Sequence, residues 1–262
     1  ARLTPREKYL GLTPAMIARS NAVIERALRD GQHLTRDELV AELKRNKLPT
    51  TEYRDGHLIG RAELEGIICS GATKDKKPTY ALLSERVPNK KVPGPEEALA
   101  RLAHKYFSSH GPATIHDFAW WSGLPVSEAR RALELTDSEF NSATYAGVTY
   151  WFPDSSAGLP NKSQSVHVLP AFDEYIVSYQ DRRAVLMRVG DKNAVTAGGV
   201  FRPIIVVDGQ VTGIWKRQIE KDRVTVKLDF FDAPGKATMR LIEKAFAPFA
   251  RFVGKPEVEF IT

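Results

Sequence analysis

The sequence predicts an α+β fold in three units, and three observations carry that expectation. Residues 13–68 and 95–135 place apolar side chains at helical spacing behind Thr and Pro start signals. Beyond residue 161 the pattern changes to short runs of strand type, with a tight turn at Asp208-Gly209. Pro-, Gly- and Ser-rich stretches at 87–95 and 153–165 separate these regions, so the expected domains are 1–94, 95–160 and 161–262. A chain of 262 residues, 42% hydrophobic and 27% charged, has an ordinary globular composition, which excludes a disordered or fibrous protein.

The elements follow in order. Thr13-Pro14 sits at the cap and first turn of a helix that carries Ile17, Val23, Ile24, Ala27 and Leu28 and ends at Gly31. Thr35 and Glu38 form a capping box for a second helix, with Leu39, Ala41 and Leu43, reaching about Lys47. Leu58, Leu64, Ile67 and Ile68 mark a third helix, and SGATKDKKPTYALL reads as strand, polar loop and strand. Three helices and a hairpin are the parts of a winged helix-turn-helix. The second unit repeats the order with a different sequence. A helix over 95–110 turns Leu99, Leu102, Ala103, Tyr106 and Phe107 inward. After Gly111-Pro112 a short helix begins at Thr114, is filled by Phe118, Trp120 and Trp121, and ends at Gly123 and Pro125. A third helix over 127–135 precedes ATYAGVTYWF, a hairpin turning at Ala146-Gly147. The expected architecture is therefore tandem winged helix-turn-helix units, then a C-terminal antiparallel sheet or barrel-like domain with a helix. That last unit takes its strands from VHVLPAF, RAVLMRV, FRPIIVVDGQVTGIWKR and VTVKLDFF, a helix from 237–252 with Met239, Ile242, Phe246 and Phe249, and a closing strand from VEFI.

Charge and cysteine narrow the functional classes. The net charge is +6. Residues 1–94 hold 18 Lys and Arg against 12 Asp and Glu, 95–160 hold 4 against 8, and 161–262 hold 16 against 12, so the basic surface belongs to the two ends. The longest apolar runs, such as 204–207, fall far short of the roughly 18 residues that span a bilayer, so no membrane partner is expected. ARLTPREKYLGL has no apolar signal-peptide core. Cys69 is the only cysteine, which rules out an intrachain disulfide and a cysteine-based zinc cluster; the expectation is a core thiol in a reducing, cytoplasmic setting. The chain opens on Ala1 rather than Met, which reads as a processed product or part of a longer gene product.

HGPATIHDFAWWSGLP (110–125), LPAFDEYIVSYQDR (169–182) and VFRPIIVVDGQVTGIWKR (200–217) resemble the signature stretches of the winged-helix DNA-binding family that contains the AlkZ/YcaQ-type DNA glycosylases. The resemblance runs from the first helix to the C-terminal helix. It implies tandem winged helices followed by a β-barrel-like domain, and double-stranded DNA as the partner. Glycosylase members excise alkylated or crosslinked purines through a Gln-x-Gln or Gln-x-Asp motif in an N-terminal segment, where a polar side chain positions the attacking water. Here Gln32, Gln164, Gln180, Gln210 and Gln218 are isolated, and Gln180-Asp181 has the wrong spacing, so the resemblance carries over no catalytic residue.

In a helix-turn-helix the third helix enters the major groove while wing or loop residues meet phosphates. That rule selects Arg54, His57 and Arg61 near the third helix of the first unit, with Lys74, Lys76 and Lys77 in its wing; the alternative for the lysines is a solvated hairpin tip. Arg130 and Arg131 belong to an acidic unit, which reads as a structural spacer. In the last unit Arg182, Arg183, Arg188 and Lys192 flank the loop AVTAGG, and Arg202, Lys216 and Arg217 extend a basic edge suited to minor-groove contact. The alternative is edge charge that discourages sheet pairing. Asp173, Glu174 and Asp181 form a carboxylate set that could serve as general acids or bases, but the favoured reading is that Asp173 or Asp181 pairs with Arg182 or Arg183; Trp120, Trp121, Trp151 and Trp215 read as core, with Trp215 the one candidate for base stacking. Thr114 and His116 read as a helix cap and first turn. None of the six histidines has ligand spacing, so no metal and no cofactor is expected. The leading expectation is a duplex DNA-binding relative of repair glycosylases that lacks catalytic residues in this chain. The rivals are an active alkylpurine or crosslink glycosylase whose Gln-containing segment precedes Ala1, and an interaction scaffold that no longer binds nucleic acid.

Overall fold

The computed structural model describes residues 4–88, 92–136, 139–154, 164–186 and 193–261. The chain divides into two compact units, Ala1–Val92 and Pro93–Thr262.

In the first unit, a short helix α1 (Pro5–Tyr9) is started by a capping box between Thr4 and Glu7. This TPRE signal was legible and absent from the expected elements. Helix α2 (Pro14–Leu28) begins where Thr13 Oγ1 accepts from the Met16 amide at 3.2 Å. Strand β1 (Leu34–Thr35) leads into α3 (Arg36–Arg45) through the Thr35–Glu38 capping box, and α4 (Arg54–Leu64) follows. Strands β2 (Ile68–Ser70) and β3 (Thr79–Leu82) precede the short helix α5 (Leu83–Arg86), and the sheet order is β1-β3-β2, all antiparallel. Ile68, expected in the third helix, instead pairs with Leu82 in the sheet. Ile24, Leu28, Leu39, Leu43 and Leu58 are fully buried and hold α2, α3 and α4 together. Each such side chain contributes roughly 1.5–3 kcal/mol by leaving water.

The second unit opens with α6 (Pro95–His110), α7 (Ile115–Ser122) and α8 (Val126–Glu134). Thr114 and Asp117 cap α7 reciprocally, and Gly123 ends it at φ +71°. Strands β4 (Asn141–Tyr145) and β5 (Val148–Phe152) form a two-stranded hairpin; Ala146 and Gly147 turn it with φ values of 49° and 77°. The core here is aromatic: Tyr106, Phe107 and Phe118 are fully buried, with ring centroids 5.2–5.4 Å apart.

Strand β6 (Val166–Leu169) and a single helical turn α9 (Glu174–Val177) come next, then β7 (Ile204–Val207), β8 (Gln210–Ile219) and β9 (Arg223–Phe230). Helices α10 (Lys236–Ala245) and α11 (Ala247–Phe252) lead to β10 (Glu257–Ile261). The five strands lie in the order β10-β9-β8-β7-β6. Gly213 in β8 is required by close approach, since a Cβ there would sit 2.7 Å from the Asp229 carbonyl oxygen.

Four expectations for this region are corrected. The sheet is mixed rather than antiparallel: α10 and α11 form the crossover that lets β10 run parallel to β9. The expected strand VHVLPAF stops at Leu169, residues 171–172 turn, and a helical turn follows over 174–177, because the Asp173 side chain accepts from the Tyr175 amide. Residues 183–185 of the expected strand RAVLMRV form a turn, and most of its remainder lies outside the described residues. Trp215 is not a stacking platform: it is 3% exposed, donates from Nε1 to the Leu169 carbonyl and packs edge-on against Phe246 and Phe249. In the first unit, Cys69 is half-buried rather than a full core thiol.

Candidate functional site

Of the three candidates around α4, the two arginines are committed within their own unit. Arg54 donates from Nε to the Leu10 carbonyl at 2.8 Å and pairs with Glu52. His57 is half-buried and lies near Glu7. Arg61 has a side chain 10% exposed, bonded to Glu65 at 2.8 Å and facing Glu7 at 3.8 Å. Arg61 is thus a tether between α1 and α4. Taking the guanidinium out of this pair would leave the buried Glu7 carboxylate without its counterion.

The hairpin lysines differ among themselves. Lys74 Nζ lies 2.6 Å from Glu38 on α3, and Lys77 lies 3.8 Å from Asp37. Lys74 holds the Glu38 carboxyl down at about 2, with the Thr35 amide and hydroxyl adding to the effect. Lys76, at φ +62° on the loop, is exposed and has no ion-pair partner among the described residues.

In the second unit the helical and sheet regions meet around a cavity of about 790 Å³. Asp117, 3% exposed, organises one wall. Its Oδ2 accepts from the Thr114 amide and hydroxyl, and its Oδ1 accepts from the Gln180 and Asp181 amides at 2.8 and 3.2 Å. A helix cap and a loop 63 residues away are thereby joined through one carboxylate. Tyr179 donates to the His110 carbonyl and Tyr175 to the Gly209 carbonyl, each at 2.8 Å. Burial pushes the Tyr179 phenol up to about 12, so it remains a donor at neutral pH. Tyr145 and Tyr150 of the hairpin also line the cavity.

Arg182 lines the same cavity. Its guanidinium lies over Trp120 and Phe201, at 5.4 and 5.0 Å from the ring centroids, with Nε donating to the Ile176 carbonyl at 2.5 Å. Its Nη2 is buried with no partner. Burial lowers the Arg182 pKa, and Asp117 offsets part of that effect. Arg183 makes a forked pair with Asp181, from Nε at 2.9 and 3.0 Å and from Nη2 at 2.5 Å, the pairing expected from the sequence. Glu174 serves another neighbourhood, accepting from Ser178, from Trp121 Nε1 at 3.0 Å and from His110 at 3.2 Å; the Ser178 bond above all lowers its pKa.

Lys216 and Arg217 are exposed on β8, with Arg217 over the Phe249 ring at 5.6 Å; Arg202 is half-buried. Arg131 pairs with Glu96. Arg188 and Lys192 lie outside the described residues. Apart from the residues on α4 and Arg202, the described basic candidates occupy three places: the loop between β2 and β3, the cavity wall at 182–183, and β8. The cavity tyrosines, Gln180 and Asp117 were missed as a group. The Thr114–Asp117 capping box and the spacing of Tyr175 and Tyr179 were local signals, but only the fold brings them together.

Among the described residues no three His, Cys, Asp or Glu are grouped to hold a metal ion, and no helix is long and apolar enough to cross a membrane.

Comparison with known proteins gives a consistent result. Residues 1–252 match the family described as DNA glycosylase AlkZ-like. A protein of Streptomyces sahachiroi described as an interstrand DNA cross-link repair glycosylase is 28% identical over 260 residues, covering 93% of this chain and 68% of the relative. The solved structure of Streptomyces sahachiroi DNA glycosylase AlkZ is similar with a TM-score of 0.78 at 24% identity, covering 99% of this chain and 72% of that one.

Proposed function

The chain belongs to the AlkZ-like DNA glycosylase family, and on that premise we propose that residues 1–262 form a duplex DNA-binding body serving DNA repair. The family match over residues 1–252 is the observation that carries this reading. We read α2, α3 and α4 with the β2–β3 hairpin, and α6, α7 and α8 with the β4–β5 hairpin, as two winged helix-turn-helix units. The separate cores support keeping 1–94, 95–160 and 161–262 as the domains. On this reading the wing residues Lys74, Lys76 and Lys77, the wall residues Arg182 and Arg183, and Lys216 and Arg217 meet phosphates, and Arg188 and Lys192 stay candidates on sequence alone. Arg54 and Arg61 then act by fixing α4 rather than by touching DNA, and His57 stays a DNA-contact candidate. A reducing, cytoplasmic setting remains part of the proposal.

Interstrand cross-link repair, the activity named for the relative, is the reaction we propose this body serves. No water-positioning Gln-x-Gln or Gln-x-Asp motif occurs in the sequence, so the chemistry is not assigned to any residue of it. Fluorescence anisotropy with plain and alkylated duplexes across a salt series tests the reading. Steep binding, with a log-log slope of about −0.9 per phosphate contact, is expected. Absence of binding at low salt overturns it and favours an interaction scaffold. Release of a base from the alkylated duplex would instead establish a glycosylase active within this chain.

A further inference from the structure

We propose that the outward face of α10 and α11, together with Arg217 of β8, holds the phosphate backbone of a second DNA segment, on the far side of the five-stranded sheet from residues 175–185. This rests on the DNA reading above and goes beyond it by adding a binding surface that the cavity side does not share.

The sheet separates the two surfaces. Side chains alternate between its faces, so Ile205 and Val207 of β7 and Trp215 of β8 join the core beneath Ile242 and Phe246. Ile204, Val206 and Ile214 join the opposite core, which is packed against Tyr175 and Val185. Tyr175, Arg182 and Val185 line the cavity. Helices α10 and α11 therefore cover one face of the sheet, and the cavity wall covers the other. With a helix layer about 10 Å thick on one side, a straight duplex against the wall does not reach the outward side of α10. Arg217, two residues beyond Trp215, lies on the helix side, over the Phe249 ring of α11 at 5.6 Å.

The outward face is basic and its charges are unspent. Residues 236–252 hold four Lys or Arg against one Glu. Lys236, Arg240 and Lys244 recur every four residues and form one ridge on α10, away from the buried Ile242. All three are exposed, as is Arg251 on α11, and none of the four side chains has an ion-pair or hydrogen-bond partner among the described residues. The wing lysines Lys74 and Lys77, by contrast, face Glu38 and Asp37. Cations with no carboxylate to leave neutralise phosphate at the least cost. Successive members of the ridge rise about 6 Å along the helix, close to the roughly 6.8 Å rise of two nucleotides on one strand. A helix lying along the backbone thus meets alternate phosphates.

Packing favours DNA over a lipid surface. An interfacial helix needs a free apolar face, and here that side, Ile242 and Phe246, is already buried on the sheet, with Phe246 edge-on to Trp215. Leu241 and Phe252 alone among the described residues of α10 and α11 are large, apolar and exposed.

The test counts DNA segments on one chain. Sedimentation with an excess of a duplex of about 15 base pairs at low salt is expected to show two duplexes per chain, and a mixture of donor- and acceptor-labelled duplexes is expected to show energy transfer. The triple variant Lys236→Ala, Arg240→Ala, Lys244→Ala, on an exposed helical face that alanine favours, is expected to weaken the second binding step about tenfold or more. It should lose the transfer and keep the affinity of the first step, and the salt slope of the second step should fall by about 2.7, three contacts at about 0.9 each. Glu243→Gln, which removes the one carboxylate of α10, is expected to strengthen that step about twofold. One duplex per chain in the unaltered protein, or two with equal affinities in both proteins, overturns the second surface while leaving duplex binding in place. Binding of no duplex overturns the DNA reading and this surface with it. Sedimentation with phosphatidylserine vesicles that the triple variant loses, alongside a single duplex per chain, overturns the proposal in favour of lipid.

Discussion

The two helix–hairpin assemblies, residues 13–82 and 95–152, use one order of elements and opposite chemistry. In the first, an aliphatic core is bordered by the buried pair Glu7 and Arg61, with the exposed Glu65 bonded to Arg61, and its hairpin carries lysines tied to α3. In the second the core is aromatic, and its hairpin ends in a bare tyrosine. The lesson is that element order constrains shape, whereas the surface each hairpin presents depends on which neighbours neutralise it. Lys74 and Lys76 stand two residues apart in the same loop, yet only Lys74 lies within reach of Glu38.

The comparison breaks first at the cores. Phe118→Ala removes a fully buried ring packed on Tyr106 and Phe107, and a loss of about 3–5 kcal/mol is expected in denaturant unfolding. A cost below about 1 kcal/mol would mean that the aromatic cluster does not hold the unit together. Next, Arg61→Ala leaves Glu7 buried and unpaired, with an expected cost of about 3 kcal/mol. Combining Arg61→Met with Glu7→Gln should recover most of it, since the capping geometry at Thr4 is kept and the buried charge is gone. The absence of recovery would assign the loss to packing. Thr114→Ala is smaller, at about 1 kcal/mol in the same measurement, because Asp117 keeps its bonds to the Gln180 and Asp181 amides.

The smallest effects sharpen the contrast within the wing. Lys76→Ala is expected to reduce the magnitude of the log-log salt slope of duplex binding by about 0.9, the value of one phosphate contact. Lys74→Ala should reduce it by less, since that ammonium must first leave Glu38. Equal effects would show that the Glu38 pair is not maintained in solution. The same pair makes a pH prediction. The Glu38 carboxyl is lowered from 4.5 to about 2, so its contribution to stability is present above pH 4.5 and lost as the pH falls toward 2. In a carboxyl NMR titration Lys74→Ala should raise the Glu38 midpoint, and high salt should do the same in part.

Much of the chain was legible before any coordinates. Thr13, Thr35 and Thr114 announced three helix starts, Gly123 one stop, and Ala146-Gly147 and Asp208-Gly209 two hairpin turns, because each acts on backbone groups within a few residues. The Asp181–Arg183 pair was also within reach, being two residues long. The short helix at Pro5 was legible from Thr4 and Glu7 but overlooked. The cavity was of another kind. Asp117 reads as a helix cap in sequence, and nothing near it says that its second oxygen will hold the amides of Gln180 and Asp181.

What the sequence determined by itself was therefore most of the longer elements and their order, the apolar stripes of both cores, and the succession of helices and hairpins in residues 13–82 and 95–152, while the short helices at 5–9, 83–86 and 174–177 were not read from it. Tertiary structure alone decided which charges remain free, that Trp215 is core while Trp120 is 52% exposed, and that the last strand runs parallel to its neighbour. The division has a physical cause. Caps and turns are settled by hydrogen bonds that span a few residues, whereas burial and charge pairing depend on groups such as Lys74 and Glu38, 36 residues apart, that only a folded chain brings together.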